Sequence, residues 1–231
     1  MHLLELIDVA IGYEAVKIIN NISLYIDEEE IIAIIGPNGH GKSTLLKGIV
    51  RLNTIHHGKI LFRGIDISAK EPHEVAKLGV KYVPETGGYF PYMSIMENLK
   101  IGGYHLQSYD FKIRLKEIEE IFPWIKHRYM QVANTLSGGE RKMLSIARAL
   151  ISKPEILLLD EPSLGLAPRA KQEIKKAITS IINNTKISII LTESDLTMVK
   201  DLANKIFLLK NGKLKEIEID KISGNLEEYL I

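Results

Sequence analysis

The segment Gly36-Pro37-Asn38-Gly39-His40-Gly41-Lys42-Ser43 constrains the fold more than any other stretch of this sequence. It fits the spacing G-x-x-x-x-G-K-[ST], follows an apolar run at Glu30–Ile35, and opens a helical pattern carrying Leu45, Leu46, Ile49 and Val50. Strand, glycine-rich turn and helix in that order make a phosphate loop. The glycines let successive backbone N–H groups turn inward around an anion, and the following helix aims its positive dipole end at the same point. Residues Gly36 to Thr44 are therefore candidates to hold nucleotide phosphates. Lys42 would pair with the β- and γ-phosphates, and the Ser43 hydroxyl would ligate Mg²⁺. His40 fills a variable slot of the motif.

Short apolar, β-branched runs alternate with helical patterns along the rest of the chain, which predicts an α/β fold with a mainly parallel sheet. Buried strands are predicted at Glu30–Ile35, Val80–Pro84, Glu155–Asp160, Ile187–Leu191 and Ile206–Leu209. Each is apolar on both faces, as a strand covered on both sides should be. Near the N-terminus, Ile22, Leu24 and Ile26 alternate with polar residues, suggesting an antiparallel, half-exposed sheet. Asn211-Gly212 ahead of Lys213–Glu218 signals a type I′ hairpin. Residues 87–153 carry the only Trp and helical spacing in Ile113, Leu115, Ile118, Ile121 and Phe122, and read as a helical insert in a core made of 1–86 and 154–231. At 231 residues the chain suits one domain.

A charge of +1, from 30 Lys+Arg against 29 Asp+Glu, argues against binding nucleic acid through charge. No cysteine is present, which excludes disulfides, thiolate metal sites and cysteine nucleophiles. Early acids without a basic n-region argue against a signal peptide, and Ile31–Ile35 is far too short to span a bilayer. The expectation is a soluble chain whose link to a membrane runs through a partner.

The apolar strand Ile156–Leu159 ends in two carboxylates, Asp160 and Glu161. Ligands gather at the carboxyl ends of parallel strands, so this end can lie beside the phosphate loop. Adjacent acids there can divide the work: Asp160 would hold Mg²⁺ and Glu161 would polarise an attacking water. Leu136-Ser137-Gly138-Gly139-Glu140 then leads into a helix with Met143, Leu144, Ile146, Ala147 and Leu150 on one face. Ser137-x-x-Glu140 is a capping box, yet capping does not need two glycines in the first turn, where each costs about 1 kcal/mol. Their expected purpose is a bare helix N-terminus acting as a second anion site.

These segments resemble the ATP-binding cassette (ABC) family, whose signature L-S-G-G-Q matches Leu136 to Glu140 with Glu in the last place. The order also matches: phosphate loop, helical insert, signature, acidic strand. The resemblance covers essentially the whole chain. It implies an ABC-type phosphate-loop NTPase fold, with ATP and Mg²⁺ as ligands and a head-to-tail dimer with a second ATPase subunit. In such a dimer Ser137 and Gly139 touch the γ-phosphate on the facing subunit, flanked by Gly138 and Glu140, while Tyr13 stacks on adenine. Ser163-Leu164-Gly165-Leu166 corresponds to the loop linking the two sites.

Two positions depart from the family pattern. Glu85, in Tyr82-Val83-Pro84-Glu85, stands at the hinge where Gln is usual, and could still hold Mg²⁺ or water. Ser194 stands where His is usual; it can donate one hydrogen bond to a phosphate but carries no positive charge. Hydrolysis is therefore expected to be slow or partner-dependent. The departures, with Phe90-Pro91, Met96-Glu97-Asn98-Leu99 and the run Leu159–Pro168, resemble the smaller ATP-binding subunit of branched-chain amino acid importers. That implies a peripheral location on the inner face of the cell membrane, permease subunits as partners, an extracytoplasmic solute-binding protein as an indirect one, and no nucleic acid. Importers of urea or short amides, or a low-turnover nucleotide-binding subunit, are the alternatives. A soluble factor acting on DNA or ribosomes would need two cassettes or a long coiled-coil insertion, which this length does not permit.

Overall fold

The structure, a computed structural model, describes residues 2–218. The part of the expected 154–231 core segment beyond residue 218 lies outside them.

The chain opens with two long antiparallel strands, β1 (Leu4–Tyr13) and β2 (Val16–Ile26), followed by β3 (Ile31–Ile35) and helix α1 (Lys42–Ile49). Next come β4 (Thr54–Phe62), β5 (Ile65–Asp66), α2 (Pro72–Lys77) and β6 (Val80–Val83). A helical stretch contains α3 (Ile95–Gly102), α4 (Ser108–Ile121), two short 3₁₀ turns and α5 (Gly138–Leu150). The chain returns to the sheet with β7 (Ile156–Asp160), α6 (Pro168–Asn184), β8 (Ser188–Glu193), α7 (Leu196–Val199), β9 (Lys205–Lys210) and β10 (Lys213–Ile217).

Two sheets result. One is antiparallel, in the order β2-β1-β4-β5; the other runs β10-β9-β3-β8-β7-β6. In the second, every pairing is parallel except β9 with β10. That exception is the hairpin read from Asn211-Gly212, where both residues take positive φ, 50° and 72°. The five predicted buried strands all form. The antiparallel sheet is larger than the alternation of Ile22, Leu24 and Ile26 suggests, because β1 and β4 also belong to it.

The two-sided burial of β3 shows how one strand serves two cores. Ile31, Ala33 and Ile35 pack with α5 and α6 residues such as Leu144, Ala147, Ile174 and Ile178. Ile32 and Ile34 face the other way, onto Leu45, Leu46 and Ile49 of α1 and onto Ile11 and Ile22 of the antiparallel sheet. The period-two reversal of side chains makes an all-apolar strand necessary there. Helix α1 is thus wedged between the sheets, and the loop that starts it is fixed by both.

In α4 only Ile118 and Ile121 are buried. Ile113, predicted for the inner face, is exposed, so the packed stripe is narrower than the spacing suggests. Helix α3 packs on α5 at a close approach. A Cβ on Gly102 would stand 2.2 Å from the Arg148 carbonyl oxygen. Gly102→Ala is expected to lower stability by about 1–3 kcal/mol through overpacking, read as a shifted midpoint in denaturant unfolding.

Candidate nucleotide site

The carboxyl ends of β3, β8 and β7 lie side by side. Ile35 pairs with Glu193, and Asp160 pairs with Thr192. The loop after β3 and the acids after β7 are therefore two strands apart and face the same edge, as ligand sites in open α/β sheets do. The loop itself depends on bare backbone. Gly41 caps α1 at φ 103°, in the left-handed region. A Cβ on Gly36 would stand 2.2 Å from the Leu209 carbonyl oxygen. His40 accepts a hydrogen bond from the Asn211 amide at 3.1 Å, tying the loop to the β9–β10 turn.

Lys42 and Glu161 form a buried ion pair at 2.9 Å, with side chains only 2% and 7% exposed. The Lys42 ammonium also donates to the carbonyls of Gly36 at 2.6 Å and Pro37 at 3.1 Å. It is the same lysine that the motif assigns to phosphate, here turned onto the loop's own oxygens. Glu161 sits at φ 43°, in the left-handed region, and its Oε2 is buried without a hydrogen-bond partner. A strained backbone and an unsatisfied carboxylate oxygen in one residue cost free energy that the surrounding structure must supply, a pattern concentrated at functional sites.

Asp160 is held by three hydroxyls. Ser43 donates to Oδ1 at 2.9 Å, Thr192 to the same oxygen at 2.9 Å, and Tyr82 to Oδ2 at 2.7 Å. Burial, with Asp160 alongside, pushes the Tyr82 phenol far above its ordinary range, so it remains a donor. This oxygen-only set suits Mg²⁺, a hard cation usually held by one or two carboxylates, phosphate oxygens and water.

Tyr13 is exposed at the end of β1. Its hydroxyl is drawn to Asn53 and Thr44, which lower its pKa and place it at the flank of α1. Glu85 is exposed, and its backbone carbonyl accepts from Lys142 of α5. The same ammonium reaches the Glu161 carbonyl at 3.3 Å, so Lys142 bridges the hinge and the acidic pair. Ser194 is half-buried between two tethered acids, Glu193 and Asp195. Sequence reasoning missed Tyr82, Thr192, Lys142 and Glu193 as site residues. The strand predicted to end at Leu191 continues through Thr192 and Glu193 as β8 and buries both.

Ser137 and Glu140 form the expected reciprocal capping box at the start of α5, and Arg128 adds an ion pair to Glu140. Burial opposes ionisation of Glu140, but hydrogen bonds from Ser137 and Arg128 hold its pKa below the usual range. The two glycines have a packing reason besides bare N–H groups. A Cβ on Gly139 would meet the Ala170 Cβ at 3.0 Å, and one on Gly138 would meet Leu166 at 3.3 Å. No hydrogen bond or ion pair joins 137–140 to the phosphate loop among the described residues.

A family model described as ABC transporter matches residues 19–164. The chain is 36% identical over 203 residues to the probable branched-chain amino acid transport ATP-binding protein LivF of Archaeoglobus fulgidus, covering 88% of this chain and 86% of that protein. It is 35% identical over 202 residues to the high-affinity branched-chain amino acid transport ATP-binding protein BraG of Pseudomonas aeruginosa, covering 87% and 86%. The crystal structure of the ADP conformation of MJ1267, an ATP-binding cassette of an ABC transporter, superimposes with a TM-score of 0.83 at 26% identity, over 100% of this chain and 99% of that one. With its phosphate loop and acidic pair joined through Lys42 and Glu161, this chain belongs to the ABC transporter family as an ATP-binding cassette.

Proposed function

We propose that this chain hydrolyses ATP at the Lys42–Glu161 site to drive a membrane importer of branched-chain or related amino acids. The observation that carries the site assignment is the buried ion pair, which a phosphate tail can open by competing for Lys42. The loop amides from Gly36 to Thr44 would receive the phosphates, with Tyr13 beside adenine. Ser43 and Asp160 would hold Mg²⁺, which would supply neutralising positive charge at the phosphate tail. Release of Lys42 leaves Glu161 free to orient a water and accept its proton as the oxygen attacks the γ-phosphorus and ADP departs. Ser194 can add one neutral hydrogen bond to the γ-phosphate, and Glu85 lies at the hinge.

A head-to-tail dimer would let the segment 137–140, capped by Ser137 and Glu140 at the start of α5, complete a second subunit's site. The substrate class rests on the relatives named above.

Residues 87–153 act as the transmitting subdomain in this reading. Phe90, Tyr92 and Met93 are exposed there, beside Met130 and Val132, because the two segments pair through the Ser94–Val132 bridge. Apolar exposure on two adjoining segments is what a docking surface needs. Since no helix among the described residues is long and apolar enough to cross a membrane, permease subunits would supply the span. Tyr92→Asp is expected to reduce co-purification with membrane permeases at least about tenfold by removing a central aromatic contact, with ATP affinity unchanged. Wild-type-like recovery from membranes with this variant would refute the docking assignment.

A further inference from the structure

At the end of β8 the chain buries a carboxylate that the hydrolytic scheme does not use. Glu193 is 0% exposed. Its Oε1 accepts from the Ser163 amide at 2.9 Å, and its Oε2 accepts from the Ser163 hydroxyl at 2.9 Å. Ser163, itself 1% exposed, begins the short loop that leaves the acidic pair for α6. Two further hydrogen bonds shape that loop, Leu164 N–H to the Glu161 carbonyl at 3.2 Å and Leu166 N–H to the Ser163 carbonyl at 3.3 Å. On the other side of Ser194, Asp195 is tied to Lys171 of α6 at 3.0 Å. Two clasps therefore flank Ser194, and both join the end of β8 to the loop and helix that follow Glu161.

We propose that Glu193 is a positioning residue for ATP turnover, clasping the 163–166 loop to the strand end that carries Ser194 so that gain or loss of its proton sets how firmly that loop and Glu161 are held. The proposal rests on the nucleotide reading of the Lys42–Glu161 site. Burial opposes ionisation of Glu193, the two hydrogen bonds from Ser163 favour it, and the charges of Glu161 and Asp195 oppose it. The charge of Glu193 is felt by Lys142 of α5, which also senses Glu85, Asp160 and Glu161. The balance pushes the carboxyl up to about 7, from an ordinary value of 4.5. Both protonation states satisfy the pair. The carboxylate accepts from both Ser163 groups; the acid keeps the amide bond and donates its own O–H to the Ser163 oxygen, whose own hydroxyl hydrogen rotates away. Protonation also removes one of three clustered negative charges, so the acid form holds the loop more firmly.

Because the folded-state value lies above the unfolded one, the stabilising contribution is complete below about 4.5 and is lost as pH rises through about 7. Glu193→Gln is permanently neutral and keeps both an acceptor and a donor. For the full chain, the ratio of kcat for the variant to kcat for wild type should rise at least about threefold between about pH 6 and about pH 8.5, with KM for ATP unchanged. The difference in melting temperature, variant minus wild type, should grow over the same interval. A carboxylate that is ionised throughout and merely structural would make Glu193→Gln less stable by the same amount at every pH, and that result would overturn the clasp. A pH-independent kcat ratio beside a pH-dependent melting difference would overturn the positioning role alone. Absence of turnover from both proteins would overturn the nucleotide reading, and the positioning role with it.

Discussion

Glu161→Gln is expected to lower ATP turnover by at least about a thousandfold while leaving ATP binding intact. The amide keeps the size of the side chain and can accept one hydrogen bond, but it cannot take a proton from water. Glu161 is paired with Lys42 and has one buried oxygen without a partner. That arrangement suits a group whose proper partner arrives with the substrate. The variant should retain ATP through many wild-type turnover times, as nucleotide bound after rapid gel filtration, and should favour a dimer on size exclusion if 137–140 completes a facing site. Normal phosphate release by Glu161→Gln would move the base elsewhere.

Lys42→Met has a second large effect, on two observables at once. Loss of the ammonium removes the charge that pairs with the phosphates, so ATP affinity should fall at least about a hundredfold. It also leaves Glu161 as a buried carboxylate without its cation, which costs about 3–5 kcal/mol of stability when a buried pair is broken from one side. Both side chains are almost fully enclosed, so water cannot screen the loss. The double variant Lys42→Met/Glu161→Gln should recover most of that stability, because the stranded charge is gone, while ATP binding stays impaired. Urea unfolding separates the stability effect and titration with ATP the binding effect. If the two single variants were additive in stability, the pair would not be coupled as the geometry requires.

These effects trace to residues that were legible at very different levels. The phosphate loop could be read because its chemistry is backbone chemistry, and backbone demands glycine at fixed spacing. The strand Ile156–Asp160 could be read because a doubly covered strand is apolar at every position until it reaches the ligand edge. What could not be read was polar burial. Thr192 and Glu193 have the composition of a strand's exposed end, yet both are 0% exposed. Asp160 and Ser163 satisfy them from neighbouring strands and loops, and such partnerships across 30 or so residues leave no local pattern. Tyr82 was hidden for the same reason: its hydroxyl serves Asp160, 78 residues away. Lys142 lies on a helix whose apolar stripe is legible, but its role depends on the two carbonyls it meets, at Glu85 and Glu161. The role of Gly139 was visible only in part, since its contact with Ala170 depends on how α5 and α6 pack.

The most direct test of ATP hydrolysis at the Lys42–Glu161 site is steady-state phosphate release by the purified chain, with and without Mg²⁺, beside Glu161→Gln under the same conditions. Release that saturates with ATP, requires Mg²⁺ and disappears in Glu161→Gln while ATP stays bound is the expected result. Equal rates in the two proteins, or no ATP binding by the wild type, would contradict it.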